Sequence, residues 1–479
     1  MTKSRLSLPG VAAARLGTSL AALALVAGCS LIPDFMRPAA PVPEKFAGAG
    51  ESAASAVPGW QAYFADPALH TLIEAALAHN RDMRIALSRV EEARAQAGIA
   101  RANRFPTLEG QAAANRSRTP EDLSGTGSAR TTSRYDLGLG ITSFELDFWG
   151  RVAALNEAAR AQYLASEEAA RSFRISLIGD VAAAWLQLVE LAERERLALA
   201  TLKSREESLE LIRKRRDAGL ATDLDALAAE SLAESVRGQW AETRRQRMQT
   251  ENGLGLLTGM AVPLPPAPDV SAYPAIAELT PGLPSETLLK RPDVRAAEQR
   301  LLAANANIGA ARAAFFPSIA LTANLGTASS ELSGLFGGGS QAWLFQPVLR
   351  LPLFDAGRNQ ASLDLAEARK VTAVADYEKT IQEAFREVAD ALAAQTAYRE
   401  QLAAQEANLK ASRTRLERVK ARADTGIANY LEVLDASRDA FAAEQAVVTT
   451  RRLMLGARVA LFRALGGGEQ DAIRVATGV

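Results

Sequence analysis

The chain has 479 residues, and 55 lysines and arginines balance 55 aspartates and glutamates. That neutrality argues against a nucleic-acid or polyanion partner, and a single cysteine leaves the fold no internal disulfide. The only histidines, His70 and His79, fall on opposite faces if they share a helix, which argues against a metal or catalytic pair.

Lys3, Arg5 and Arg15 precede an apolar run, Leu16 to Val26, that is too short to span a bilayer as a helix. Val26-Ala27-Gly28-Cys29 follows with the pattern of a bacterial lipobox, in which small residues admit a peptidase and the cysteine thiol takes a diacylglycerol. Residues 1–28 therefore read as a lipoprotein signal peptide, with Cys29 the lipidation site and several acyl chains giving stable anchoring. Ser30 after the cysteine, where retained lipoproteins carry Asp, points to the outer membrane. Residues 29–59, rich in Pro, Ala, Gly and Ser, read as an extended lipidated tether, and Trp60 opens the ordered part.

All twenty prolines fall outside residues 121–262 and 353–479. An interior proline costs a helix about 3 kcal/mol, so those two stretches are expected to carry the long helices. Before the first of these helices, Tyr135, Leu137, Leu139 and Ile141 alternate with Asp136, Gly138, Gly140 and Thr142, as in a strand. From Arg151 to Asp217 one helix of about 100 Å is expected at about 1.5 Å per residue. Leu177, Val181, Trp185 and Leu188 give it an apolar stripe that needs coiled-coil partners. Gly219 suits the left-handed turn that ends a helix, and Thr222-Asp223-Leu224-Asp225 resembles a capping box that starts the returning one.

The second half repeats the plan. Gly98 to Thr107 returns as Gly309 to Ser318, and Ala218 to Asp225 returns as Thr425 to Glu432. Ile319, Leu321, Ala323 and Leu325 share a strand face. After Gly337-Gly338-Gly339, Trp343, Phe345, Leu349, Leu351 and Leu353 share a parity. Gly426 followed by Asn429-Tyr430-Leu431-Glu432 repeats the turn and the capping-box pattern. The expected domains are a first repeat at 60–262, a Pro-rich linker at 263–282, a second repeat at 283–466 and a tail at 467–479. Strands of this length suit a tilted crossing of an outer membrane. Two hairpins give four strands, which cannot close a barrel, and open edges are not tolerated in lipid, so several copies must share one barrel.

The segment Leu283-Pro284-Ser285-Glu286-Thr287-Leu288-Leu289-Lys290-Arg291-Pro292-Asp293-Val294-Arg295-Ala296-Ala297-Glu298 resembles a signature of the outer membrane efflux protein family. Its continuation, Ala304 to Gly309 and Phe315 to Ile319, does the same, and Pro33-Asp34 with Arg37-Pro38 is shared with the NodT/OprM lipoprotein branch of these TolC-like channels. The resemblance implies a homotrimer with a twelve-stranded outer-membrane barrel and a periplasmic tunnel of long helical hairpins. It implies a passive exit duct for small molecules, served by a periplasmic adaptor (membrane fusion) protein and an inner-membrane pump of the resistance-nodulation-division type. It implies no enzyme activity, cofactor or metal. Export of polypeptides in type I secretion, and a structural coiled-coil lipoprotein, are the alternative readings.

In TolC-like proteins acidic residues just after the second-repeat tip ring the closed entrance, and the matching positions here are Glu432 and Asp435. Three copies of each would make a dense negative ring. Glu432 has a second reading as the last residue of a capping box, Asp435 as a solvated acid, and Asp225 reads as a cap. Arg215 and Arg422, four residues before each tip glycine, are expected to brace the closed tips toward the neighbouring hairpin. Gly219, Leu220 and Thr222, with Gly426, Ile427 and Asn429, are the expected adaptor contacts.

Overall fold

A computed structural model of the chain describes residues 30–44, 46, 58–125, 127–259, 276–277 and 285–468. Cys29, the signal segment, nearly all of the inter-repeat linker and residues 469–479 lie outside the described residues. In the first half, α1 (Trp60–Tyr63), α2 (Pro67–His79) and α3 (Arg81–Ala102) lead into β1 (Leu108–Thr119) and β2 (Arg130–Leu146). The long helices α4 (Arg151–Asp217) and α5 (Asp223–Thr258) follow. The second half gives α6 (Pro292–Ala313), β3 (Ser318–Ser329), β4 (Gln341–Arg350), α7 (Arg358–Asp424) and α8 (Tyr430–Ala464). The described residues are thus mainly helical with four strands, and α4 and α7 are each 67 residues long.

Contacts divide the chain into two units, each drawing on both halves. The unit of residues 30–38, 91–166 and 297–377 holds one antiparallel sheet in the order β1-β2-β3-β4. Leu139 lies opposite Leu325, and Leu325 opposite Trp343. All three are exposed, so an uncovered apolar row crosses three strands. Glycine is required where β2 and β3 approach closely, since a Cβ at Gly326 would stand 2.1 Å from the Leu137 carbonyl oxygen. A bulge between Ile141 and Phe144 shifts the register, and Ser143 adopts φ 52° there. Strand β4 ends at Arg350 rather than continuing to Leu353. Pro352 has no N–H to give a ladder, and Leu353 stands 90% exposed beyond the strand end.

The first part of the expected tether is extended but docked. Asn305 Nδ2 donates to the Pro33 carbonyl at 2.8 Å, and Arg37 pairs with Glu298 at 2.5 Å. Ile32 packs on the alanine cluster Ala158, Ala161, Ala303 and Ala306, and a Cβ at Gly309 would collide with it. The order therefore begins well before Trp60, because small residues on α4 and α6 leave a seat for the segment.

The unit of residues 39–90, 167–296 and 378–479 has an aromatic core. Tyr63 stacks on Phe462 at 4.8 Å, and Phe64 meets the same ring edge-on. The Tyr63 hydroxyl donates to the Arg458 carbonyl at 2.8 Å, and Trp185 Nε1 donates to Asp66 at 2.7 Å. In the same unit, Phe46 stacks on Phe385 at 4.7 Å. The Arg-Pro-Asp of the signature segment also has a structural role. Buried Arg291 takes both Asp293 oxygens, reaches Glu387 at 2.9 Å, and donates to the Ala464 carbonyl at 2.6 Å. One guanidinium thus satisfies an orphan carbonyl at the end of α8 while holding the first turn of α6.

Candidate functional site

The two hairpin tips are built by the same backbone chemistry. At the first, Leu220 N–H donates to the Arg215 carbonyl and Gly219 N–H to the Arg216 carbonyl, each at 2.8 Å. At the second, Ile427 N–H donates to the Arg422 carbonyl at 2.9 Å and Gly426 N–H to Ala423 at 3.0 Å. Both are Schellman closures, with Gly219 at φ 74° and Gly426 at φ 75°, a region open to glycine without strain. Arg215 and Arg422 thus occupy equivalent positions where the main chain, not the side chain, closes the helix.

The caps that follow differ. Thr222 and Asp225 form a reciprocal capping box, and these hydrogen bonds hold the Asp225 carboxyl below the usual carboxylate range. Asn429 caps α8 alone, accepting from Leu431 N–H at 3.1 Å. Its expected box partner, Glu432, instead lies 3.9 Å from Arg422. The capping-box expectation at the second tip is therefore corrected: Asn429 reaches the N2 amide, and the Glu432 carboxylate is left half-exposed for other contacts.

Arg422 reaches an acid of its own hairpin, and among the described residues the Arg215 side chain has no ion-pair partner. Asp435 lies 3.4 Å from Arg438, which in turn meets Asp439 at 3.5 Å, and Asp439 takes Arg415 of α7 at 2.7 Å. The acidic edge of the second hairpin is thus Glu432, Asp435 and Asp439, each with an arginine beside it. Leu220 is 78% and Ile427 70% exposed, so both tips present apolar side chains with no cover.

Sequence reasoning missed how the start of α8 is seated. Leu434 is buried with Leu209, Ile212, Ala226, Ala229 and Ala233 of the first hairpin, and Tyr430 packs against the same cluster. The signal was present in the spacing of Tyr430 and Leu434, one helical turn apart, but nothing local says which helix they meet. Asp439 was likewise missed, since its partners lie on α7 and α8 and only one of them is close in sequence.

The profile of the outer membrane efflux protein family matches residues 72–260 and again 283–467. The chain belongs to that family. Its relatives include the solvent efflux pump outer membrane protein SrpC of Pseudomonas putida, 46% identical over 462 residues that span 93% of this chain and 97% of the relative. A crystal structure of a membrane protein from Pseudomonas aeruginosa matches with a TM-score of 0.89 and 46% identity, covering 93% of this chain and all of that one. The open state of the Neisseria gonorrhoeae MtrE outer membrane channel matches with a TM-score of 0.83 and 38% identity, covering 92% and 98%. This efflux protein is accordingly an outer-membrane channel component of the TolC-like class, with long helical hairpins and a four-stranded share of a barrel.

Proposed function

We propose that three copies of this efflux protein form a passive exit duct for small apolar toxic molecules. A periplasmic adaptor would couple it to an inner-membrane pump of the resistance-nodulation-division type, and acyl chains on Cys29 would anchor it. The observation that carries this reading is the sheet itself: among the described residues its outer strands β1 and β4 each pair on one side only, and its apolar row is exposed. In lipid such edges must pair with another copy, and β1 of one copy on β4 of the next closes a ring. The solvent-efflux role carried in the name of SrpC supports apolar cargo. Glu432 and Asp435 are assigned to the pore constriction, and Gly219, Leu220, Thr222, Gly426, Ile427 and Asn429 to the adaptor contact. Arg215 and Arg422 support the tips chiefly through their carbonyls.

The test is single-channel conductance in a planar bilayer, with the wild type beside the double variant Glu432→Ala/Asp435→Ala. Cation-selective steps that enlarge or lose selectivity in the variant are expected. No conductance from protein shown to be folded and inserted would overturn the duct.

A further inference from the structure

A second site lies between α4, α5 and α8, and its Arg438 also meets Asp435. A cavity of about 750 Å³ is lined there by Arg194, Arg205 and Arg438, with Glu242, Gln239 and Thr243 among the polar remainder. Arg205 is only 6% exposed. Its Nη1 donates to the Leu232 carbonyl at 2.9 Å, while Nε and Nη2 are shielded from solvent and bond to nothing among the described residues. Those two nitrogens form one edge of the guanidinium, with parallel N–H bonds spaced to receive the two oxygens of a carboxylate or phosphate.

The nearby acids leave this fork empty. Glu242 is taken by Arg245 and Gln246. Asp435 and Asp439 are taken up at Arg438. Arg194 is already held by Gln445 and Glu190. The Phe441 ring, 5.6 Å from the Arg205 guanidinium carbon, covers the group. A buried charged donor without an acceptor is costly and rare, and here a polar cavity adjoins it.

We propose that Arg205 is the centre of an oxyanion-binding site, in which its Nε/Nη2 fork takes a carboxylate or phosphate beside the Phe441 ring. The occupied site ties α4, α5 and α8 together. Burial and the Arg438 charge both press the Arg205 pKa downward, as a site short of one anion should. This inference is independent of the duct reading.

The experiment is thermal unfolding of the purified full-length protein in detergent at neutral pH. Sodium phosphate and sodium acetate are compared with sodium chloride at matched ionic strength, for the wild type, Arg205→Met and Arg205→Lys. Phosphate stabilises protein surfaces in general by exclusion, so the readout is the shift in the wild type minus the shift in each variant. An excess of about 2 °C in the wild type is expected with a millimolar-affinity anion near saturation. An excess with phosphate alone assigns a tetrahedral ligand, and one with acetate a carboxylate. Met keeps the stem without the charge and Lys keeps the charge without the fork, so both should lose the excess. Equal shifts in the wild type and Arg205→Met, or a full shift retained by Arg205→Lys, would overturn the site.

Discussion

The resistance of the closed tips should come from packing more than from charge, and Leu434→Ala set beside Arg422→Ala separates the two. Leu434 is 6% exposed and buried in one cluster with Leu209, Ile212, Ala226, Ala229 and Ala233. Truncating a buried leucine costs about 2–5 kcal/mol, and the low end of about 2–3 kcal/mol applies at a small cluster near a tip. The Arg422–Glu432 pair spans 3.9 Å with both side chains about half-exposed, 54% and 50%. Coulomb attraction at that distance in water is about 1 kcal/mol, which exposure reduces to a few tenths. If opening lifts the start of α8 off the first hairpin, Leu434→Ala shifts the balance toward open by about 30-fold or more per copy, and Arg422→Ala by about 2-fold. Channel open probability in a planar bilayer, with uptake of a large antibiotic by cells as a second readout, measures both at equal levels of folded protein. A larger leak in Arg422→Ala than in Leu434→Ala would refute the reasoning, because an exposed pair would then outweigh a buried side chain.

Arg291→Met should cost about 1–3 kcal/mol, chiefly because it leaves the Ala464 carbonyl without its donor while the Asp293 and Glu387 carboxylates remain partly solvated; a fall in the midpoint of thermal unfolding checks it. Burial raises the Tyr63 phenol, so its contribution is fully present below the ordinary tyrosine range and is lost as pH rises above about 10. Tyr63→Phe should lower stability at neutral pH and flatten that alkaline loss in denaturant titrations. The Asp225 carboxyl is held low by Thr222, so its contribution is present above the ordinary carboxylate range and is lost as pH falls through it. Thr222→Ala should remove that acid dependence and cost about 1 kcal/mol of helix stability, read by hydrogen exchange at the first turn of α5.

How far the sequence reveals this molecule depends on whether each feature is set locally. The bounds of α4 and the two tip closures are readable because proline, glycine and cap residues act within a few positions of themselves. Strand β1 could be inferred only by counting hairpins, since Leu108 to Thr119 holds a single large apolar residue and is exposed along almost its whole length. Its register is imposed by β2. The end of β4 was misplaced because parity continues through Leu353, while backbone hydrogen bonding stops near Pro352. The seat of Tyr430 and Leu434, the Arg438–Asp439–Arg415 chain and the unpaired Arg205 fork all depend on which helices meet. Residue spacing along one helix does not specify that.

The two open edges of the sheet bear on how the protein is made. A lone copy presents the unpaired N–H and C=O groups of β1 and β4 together with an apolar row, the features that drive promiscuous strand addition. On the proposed three-copy assembly, the interval between synthesis and assembly is the hazardous one, and the stability of the barrel portion is a function of protomer concentration rather than of sequence alone. Low expression should yield disproportionately less assembled protein, with the remainder lost to proteolysis or aggregation before it meets a second copy.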